Sequence, residues 1–448
     1  MRILIIIWLL SLSAIYGYGQ QTVDSIQAPK KQFVQAAGQL VISELLPWSY
    51  NRFIRKAEFA KVNFKSIGNN LKPSSWEWDD NNFKTNQFAH PYHGNLFYSS
   101  FRSNGYNFWQ SAPAAFAGSF LWEIAGETHL PAPNDFINTS LGGVALGEMS
   151  YRISRHIVNN RASGPRRQLQ EILALLVNPM NGLTRLTRGE WGKVHGVADT
   201  SGNLAADLNI GLRRFGIRTS NQHTRGHNEL YFRLKLNYGE KYQPSQAPFD
   251  SFLAQIEAGS GDSTYLNNVQ VSGALKTWKM REEGNQSHFY SVIMNYNYIK
   301  NGAFQYGGQG FTFRLLSQWN KNSRTKIFTE IGSGVTVLAA VPDKYLFYGE
   351  GRNYDYGPGI HVTANTRINF NKHVDIELNY LGSRFTTING NKSSYILNTL
   401  SADVNAKVLD RFSVAAGVGQ YTLNGFYDGY SNVAQIFPFA RFSVGYRL

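Results

Sequence analysis

The carboxy-terminal 240 or so residues divide into about twelve segments of nine or more residues in which apolar and polar side chains alternate. In the segment that ends at Leu448, Val444 and Tyr446 fall on one face, whereas Arg441 and Ser443 fall on the other. Successive side chains of a strand point to opposite faces, so one set can meet hydrocarbon while the other lines a lumen. The pattern predicts a transmembrane β-barrel.

The predicted fold class is a mainly β membrane protein, an antiparallel transmembrane β-barrel of about 12 strands preceded by a small α-helical domain. An even number of strands leaves both ends of a bacterial barrel on the periplasmic side, with short turns there and longer loops outside. The links after the sixth, eighth and tenth predicted strands are indeed shorter than those after the seventh, ninth and eleventh. The predicted strands span residues 206–217, 228–239, 248–259, 264–280, 288–300, 304–320, 325–341, 355–371, 374–386, 394–409, 412–424 and 434–448.

Residues 1–19 have the pattern of a secretory signal, with the apolar run Ile3–Leu10 and cleavage expected near Gln20. The run is too short to span a bilayer, which takes about 20 residues. The chain has no Cys, which excludes a lipid-modified cysteine, disulfides and thiolate metal sites. We therefore expect secretory export to the outer membrane of a Gram-negative bacterium.

The formal charge of +14 is spread along the chain without a block of like charges, which argues against nucleic acid as a partner. A basic exported protein is expected to meet anionic lipids. The predicted partners are outer-membrane lipids and lipopolysaccharide, together with the machinery that assembles outer-membrane barrels.

Four regions follow from the changes in pattern: the signal at 1–19, an extended or partly ordered lead-in at 20–75, a helical domain at 76–190 and the barrel at 200–448. The helical domain is expected in the periplasm or as a plug in the lumen. Asn134 is a plausible N-cap. A transmembrane helix over Phe108–Gly126 is the less favoured alternative, because that run contains Pro113 and Glu123. Predicted helices span about 33–46, 94–126 with a break at Gly105 or Pro113, 134–159 and 165–177.

The helical domain resembles an uncharacterised bacterial family that is catalogued as a domain of unknown function and found in exported proteins with C-terminal barrels. The resemblance covers about residues 76–190 and implies placement and a domain boundary more than an activity. It rests on HPYHG (His90–Gly94), RSNGYNFWQSAP (Arg102–Pro113), WEIAGE (Trp122–Glu127), PNDFINTSLGGVALGE (Pro133–Glu148) and NPMNGLTRLTRG (Asn178–Gly189).

Ionisable groups concentrate in this domain, and imidazole with carboxylate suits zinc binding or general-base work. The competing interpretation is that the histidines hydrogen-bond backbone at a turn, because Pro91 lies between them and HPYH is not a zinc-binding HExxH helix. No metal or cofactor is therefore assigned. The candidates for a metal site or a hydrolytic acid–base cluster are His90, His93, Glu123, Glu127 and Asp135.

Asp135 and Glu148 also have simpler, structural interpretations. Asp135 is a first-turn acid that the helix dipole favours. Glu148 and Arg152 have the spacing of an ion pair on one helix face. GGVALG lacks the Lys-Ser or Lys-Thr of a phosphate loop, which argues against nucleotide binding.

The inward faces of the predicted strands carry mixed charges, and twelve strands enclose a modest lumen compared with porins of 16–18 strands. We predict an outer-membrane barrel with a structural, binding or transport role. The alternative is a lipid-modifying enzyme of the phospholipase or lipid A deacylase or acyltransferase type, although His361 and His373 lack an evident Ser or Asp partner. A soluble propeller would need repeats of about forty residues, which are not seen. The predicted lumen-lining residues are Arg233, Lys235, Arg367, Asp375, Glu377, Asp403 and Lys407.

Overall fold

Twelve antiparallel strands follow the alternating pattern and close into one barrel in a computed structural model of the chain. The structure describes residues 30–193, 203–219, 222–260, 265–301, 304–322, 324–349 and 351–448, so the signal predicted at 1–19 lies outside the described residues. The strands are β1 (Leu204–Thr219), β2 (Gln222–Tyr238), β3 (Phe252–Gly259), β4 (Leu266–Glu283), β5 (Gln286–Lys300), β6 (Gln305–Asn320), β7 (Thr325–Pro342), β8 (Tyr354–Phe370), β9 (Val374–Thr386), β10 (Ser393–Lys407), β11 (Phe412–Tyr427) and β12 (Val433–Arg447).

Each strand pairs with its neighbours in sequence, and β1 closes the barrel by pairing with β12. The closing register sets Leu208 opposite Tyr446, and the backbone N–H of Leu448 donates to the carbonyl of Ala206 at 2.9 Å. Closure leaves no strand edge unpaired, which a backbone surrounded by hydrocarbon requires.

The outer wall is apolar, as the alternation predicts. Many large side chains there are half or more exposed, because lipid takes the place of a protein neighbour. Their polar neighbours in sequence turn inward, so the wall separates hydrocarbon from a wettable interior. The exposed apolar side chains include Ile210, Leu212, Leu230, Ile331, Val335, Ile360, Val362, Leu400, Val418, Phe442 and Val444.

All twelve predicted strands are present, and only β2 and β3 differ from the prediction by more than three residues at an end. β2 begins at Gln222, six residues before the predicted start, because its first residues pair with the end of β1. β3 begins at Phe252, because the preceding segment is a turn in which the Asp250 carboxylate accepts the backbone N–H groups of Gln246 and Ala247. In the missed part of β2, Gly226 has low strand propensity and obscures the strand in the sequence.

The amino-terminal region is helical from Phe33 onward. The segment before residue 76, predicted as an extended or partly ordered lead-in, contains two α-helices, of which the first matches the helix predicted over about 33–46 and the second was not predicted. None of the helices in the described residues is long and apolar enough to cross a membrane. The helices are α1 (Phe33–Ser49), α2 (Phe64–Asn70), α3 (His90–Arg102), α4 (Phe108–Leu121), α5 (Pro133–Ile137), α6 (Gly143–Val158), α7 (Gly164–Val177) and α8 (Pro179–Thr187).

The predicted break near Gly105 separates α3 from α4. Gly105 has φ of +88°, which favours glycine, and Asn107 then caps α4 in a reciprocal capping box with Gln110. Pro113 lies inside α4 without ending it. Asn134, predicted as an N-cap, does not cap α5: its side chain is fully buried and accepts the backbone N–H of Asp79.

Helices α3 and α6 cross with their backbones in contact. A Cβ added to Gly143 would lie 2.4 Å from the carbonyl carbon of Gly94, and one added to Gly94 would lie 1.8 Å from the carbonyl oxygen of Thr139. Only glycine permits this approach. The contact brings the first turn of α3, which begins at His90, against the segment that precedes α6.

Residues 80–87 belong to the same compact unit as the barrel, although the chain on both sides of them belongs to the helical unit. The Asn86 amide donates to the hydroxyls of Tyr354 and Tyr356 at 3.0 and 3.1 Å, and the Tyr296 hydroxyl donates to the Gln87 carbonyl at 2.6 Å. Phe83 stacks on Tyr298, with ring centroids 5.7 Å apart. These four tyrosines are fully buried.

Two of these tyrosines lie on the outer face of the barrel. Tyr296 and Tyr298 alternate along β5 with Asn295 and Asn297, which line an interior cavity. Residues 80–87 therefore cover part of the outer wall of β5, and lipid does not.

Candidate functional site

Three of the five predicted site residues converge inside the helical unit. His90 opens α3, Glu123 lies on the π-helical turn Trp122–Gly126 that follows α4, and Asp135 lies in α5. One ligand atom from each lies within 4.8 Å of the others. The side chain of His90 is 13% exposed, and Glu123 and Asp135 are 1% and 2% exposed. We call these three residues the acid–histidine cluster.

Each of the two carboxylates of the acid–histidine cluster accepts a hydrogen bond. The backbone N–H of Ala132 donates to Oε2 of Glu123 at 2.8 Å, and the Asn134 amide donates to Oδ1 of Asp135 at 2.8 Å. The other oxygen of Asp135, Oδ2, lies 3.8 Å from Nε2 of His90. One oxygen of each carboxylate is thus anchored, and Oδ2 of Asp135 faces the imidazole.

Burial sets the protonation of the acid–histidine cluster. Burial and the charges of Glu127 and Asp79 raise the pKa of Glu123 well above its usual range, and burial with Asp79 and Glu123 does the same for Asp135. Burial lowers the pKa of His90, although the charge of Asp79 opposes the shift. Both effects disfavour charge in the cluster, since a buried charge without a counter-charge is costly.

The other two predicted residues lie beside the cluster. Burial and the charge of Asp79 raise the pKa of Glu127 to about 8. His93 turns to α1, where its Nε2 lies 2.9 Å from the carbonyl oxygen of Ser43, and it packs between the rings of Phe97 and Trp122. Burial lowers the pKa of His93 to about 4, so it is neutral and donates to backbone.

Asn70 is a positioning residue that sequence reasoning missed. It is 1% exposed at the end of α2, and its amide donates to the carbonyls of Glu123, Glu127 and His129 at 3.2, 3.3 and 3.0 Å. One side chain thus fixes the backbone that carries both glutamates. No motif marks this asparagine, because its partners lie more than fifty residues away.

We expect Asn70→Ala to lower the free energy of unfolding of the helical unit by about 1–3 kcal/mol, since buried carbonyls lose their donor. Chemical denaturation of the full chain in detergent, followed by its helical circular dichroism, measures the change. The neighbouring Asn69→Ala is the control, because Asn69 is exposed and its replacement should stay within about 0.5 kcal/mol. Equal effects of the two variants would contradict the assigned role.

Two other buried carboxylates of the helical unit are paired with arginine. Glu148 accepts from Arg102 and Arg152, both at 2.7 Å, and from the Tyr98 hydroxyl at 2.6 Å. The predicted Glu148–Arg152 pair is therefore present, and Arg102 is an unpredicted third member. Glu171 is paired in the same way with Arg167 at 3.0 Å and Arg185 at 2.7 Å.

The barrel interior holds a second set of ionisable groups. All seven side chains predicted to line the lumen border a cavity of about 350 Å³. This cavity lies in the half of the barrel where β1 begins and β12 ends. Lys235 of β2 pairs with Glu377 of β9 at 2.9 Å, and Arg367 pairs with Asp375 at 2.9 Å. β2 and β9 are separated by four strands in the closed order, so the Lys235–Glu377 pair crosses the lumen.

Further bridges, which involve side chains outside the predicted lumen-lining set as well as Asp403, lie in the same interior. Arg441 of β12 pairs with Asp403 of β10 at 2.7 Å and with Glu257 of β3 at 3.8 Å. Arg213 of β1 also contacts Glu257, at 2.5 Å. Period-2 alternation shows that such side chains point inward, but it cannot show which of them meet.

An aromatic layer lies in the other half of the barrel. Phe304, from the β5–β6 connection, stacks on Tyr421 of β11 with ring centroids 4.8 Å apart and packs against Phe437 of β12 at 5.7 Å. Both partners come from the opposite wall. The layer is an apolar cluster of buried side chains that also includes Ile299, Tyr306, Ala339, Val341, Phe385, Tyr395, Leu397 and Leu423.

The two barrel histidines considered for an enzyme have no carboxylate partner among the described residues. His361 lies 2.8 Å from the hydroxyl of Thr312 and 3.1 Å from that of Thr336. His373, in a turn, lies 2.6 Å from the carbonyl oxygen of Asn371. Neither arrangement is that of a nucleophile activated by a base that a third group orients.

Residues 75–180 match the model of the family described as "Domain of unknown function (DUF3943)". No curated protein matches the chain significantly. Among solved structures, the barrel is similar to the NanC porin, at 12% identity over 53% of this chain and 100% of that chain, with a TM-score of 0.29. It is also similar to the toluene transporter TodX of Pseudomonas putida, at 9% identity over 55% of this chain and 89% of that one, with a TM-score of 0.24.

A third similar structure is the outer-membrane channel DcaP of Acinetobacter baumannii, at 8% identity over 54% of this chain and 96% of that one, with a TM-score of 0.24. The three similar proteins are outer-membrane barrels. At these identities and TM-scores they say nothing about what this chain binds or moves.

Proposed function

We propose that this protein is an outer-membrane β-barrel with a binding or structural role in the cell envelope, and that its lumen is closed to the diffusion of solutes. The observation that carries the proposal is the stacking of Phe304 on Tyr421 from the opposite wall. This ring contact spans the lumen, and buried apolar side chains from β5, β6, β7, β9, β10, β11 and β12 pack around it at that level. An open porin instead keeps a water-filled channel.

The closure is repeated at other levels. Lys235 and Glu377 bridge the lumen by a charge-assisted hydrogen bond, and Arg441 joins β10 and β3 through two carboxylates. Cavities of about 280, 350 and 410 Å³ border the Lys235–Glu377 bridge. They are in the size range of small-ligand sites, and their polar linings favour water or a small polar guest over a continuous channel.

The apolar outer wall of the barrel supports the proposed location in the outer membrane. A closed barrel with an apolar exterior needs hydrocarbon around it, and bacterial barrels of this type lie in the outer membrane. Secretory export, contact with lipopolysaccharide and delivery by the barrel-assembly machinery complete the proposal. The bends that join β6 to β7, β8 to β9 and β10 to β11 then face the periplasm, and the longer loops after β7, β9 and β11 face outward.

We expect purified full-length protein to give no steady conductance in planar bilayers, because side chains from opposite walls meet at several levels. A combined variant that removes two layers, Phe304→Ala with Tyr421→Ala, Lys235→Ala and Glu377→Ala, should produce channels. The control replaces outward-facing Ile360, Val362 and Val418 with alanine and should stay silent. Steady channels from the unaltered protein would overturn the closed-lumen proposal.

A further inference from the structure

The helical unit neutralises its buried carboxylates in two different ways. Glu148 and Glu171, both 0% exposed, are each paired with two arginines. Glu123 and Asp135 are buried as deeply, yet among the described residues His90 is the only basic side chain within 4 Å of either of them. Arginine neutralises two of the buried carboxylate sites, whereas no arginine or lysine among the described residues pairs with Glu123 or Asp135.

We propose that the acid–histidine cluster binds one divalent transition-metal ion, Zn²⁺ or Mn²⁺, with Nε2 of His90 and the carboxylates of Glu123 and Asp135 as ligands. The ligand atoms lie within 4.8 Å of one another, and two ligands of one ion at bonds of about 2.0–2.2 Å are separated by at most about 4.4 Å. Small side-chain rotations close the difference. The 3.8 Å between His90 and Asp135 is long for a hydrogen bond and fits two ligands of one ion.

The surroundings have the form of an outer ligand shell. Nδ1 of His90 lies 3.3 Å from the Thr139 hydroxyl, which leaves Nε2 facing the carboxylates. Ala132 and Asn134 each donate to one carboxylate oxygen. Such outer contacts orient ligands and fix the imidazole tautomer at metal sites. Contacts of this kind are present around His90, Glu123 and Asp135.

A third carboxylate, that of Glu44, points to the same conclusion. Both oxygens of Glu44, on α1, are inaccessible to solvent and have no hydrogen-bond partner among the described residues. Its charge acts on Glu123. Burial raises the pKa of Glu44 to about 8. A buried acid without a partner beside an acidic cluster is costly unless a cation compensates it.

The donor set selects the class of metal. One imidazole nitrogen with two carboxylates suits Zn²⁺, Mn²⁺ and similar first-row ions, whereas Ca²⁺ and Mg²⁺ prefer all-oxygen sets. The ion would join α3, the turn after α4, and α5. Its binding free energy would therefore add to the stability of the helical unit.

The test uses full-length protein in detergent, without a histidine tag and freed of metal with a chelator. Titration calorimetry with ZnCl₂ and MnCl₂, and metal analysis after gel filtration, should give about one ion per chain and a higher thermal midpoint for the helical unit. Asp135→Asn and Glu123→Gln should weaken binding at least tenfold. Both variants should also raise the stability of the metal-free protein, because each removes an acid whose ionised form is disfavoured by burial in the folded state.

This opposite pair of effects separates a ligand from a residue that only supports the fold, whose loss would lower stability with and without metal. Glu58→Gln, at an exposed position, is the control and should change neither quantity. Absence of Zn²⁺ and Mn²⁺ binding by the unaltered protein, or equal binding by the Asn and Gln variants, would overturn the proposal. Neither result bears on the closed lumen, which bilayer recording tests separately.

Discussion

Replacing Gly143 with valine is expected to unfold the helical unit and leave the barrel intact. The backbones of α3 and α6 touch at this glycine, where even a Cβ would lie 2.4 Å from the carbonyl carbon of Gly94. Overpacking a core usually costs about 1–3 kcal/mol, and here no flexible side chain can move aside. We therefore expect a loss above about 3 kcal/mol, a large share of the stability of a domain.

Limited proteolysis of the full chain shows whether Gly143→Val unfolds the helical unit and leaves the barrel folded. The helical unit of the variant should be digested, while the barrel keeps its heat-modifiable migration in gels. Gly38→Ala is the matched control, because Gly38 lies within α1 and a Cβ there has no neighbour within 4 Å. That change should stabilise by about 0.5–1 kcal/mol. A folded Gly143→Val protein would show that α3 and α6 are not packed as described.

Glu148→Gln is expected to lower the stability of the helical unit by about 3–5 kcal/mol, because it leaves Arg102 and Arg152 buried without their counter-charge. Denaturant unfolding followed by the helical circular dichroism measures the loss. Glu58→Gln removes an exposed charge that, among the described residues, is paired only with Lys61, and it should change little. Similar losses for the two variants would refute the role assigned to Glu148.

The same substitution should change the response to acid. Burial alone would raise the pKa of Glu148, but the charges and hydrogen bonds of its partners outweigh burial and lower the pKa to about 2, from an ordinary value of 4.5. The unfolded chain then binds more protons than the folded one between these values. The stabilisation is complete above about pH 4.5 and is lost as the pH falls toward 2. The Gln variant should lack this part of the acid dependence.

The barrel could be predicted from the sequence because its determinants are local. Each strand must present lipid-compatible and water-compatible faces along its whole length, so Ile360 and Val362 alternate with His361 and Thr363 whatever their neighbours are. The short turns and longer loops follow from the same segmentation. The start of β2 at Gln222 was not predicted, because the strand conformation there depends on pairing with β1 and not on the strand propensity of the residues themselves.

The candidate site was predictable only in part, because its geometry is not local. His90 and His93 are three residues apart on one helix, yet His90 faces the carboxylates and His93 donates to α1. The contacts of Asn70, Arg102 and Glu44 join segments far apart in sequence. Periodicity assigns a side chain to a face, but only the packed structure shows which side chains meet.

The covering of Tyr296, Tyr298, Tyr354 and Tyr356 by residues 80–87 has a practical consequence. A truncation designed at the matched domain boundary, residue 75 to residue 180, would also delete this cover. Two phenols on the outer wall of β5 would then face acyl chains, and Tyr354 and Tyr356 would lose the Asn86 amide. A barrel-only protein intended for functional work should retain residues 80–87, for example through a short linker to β1.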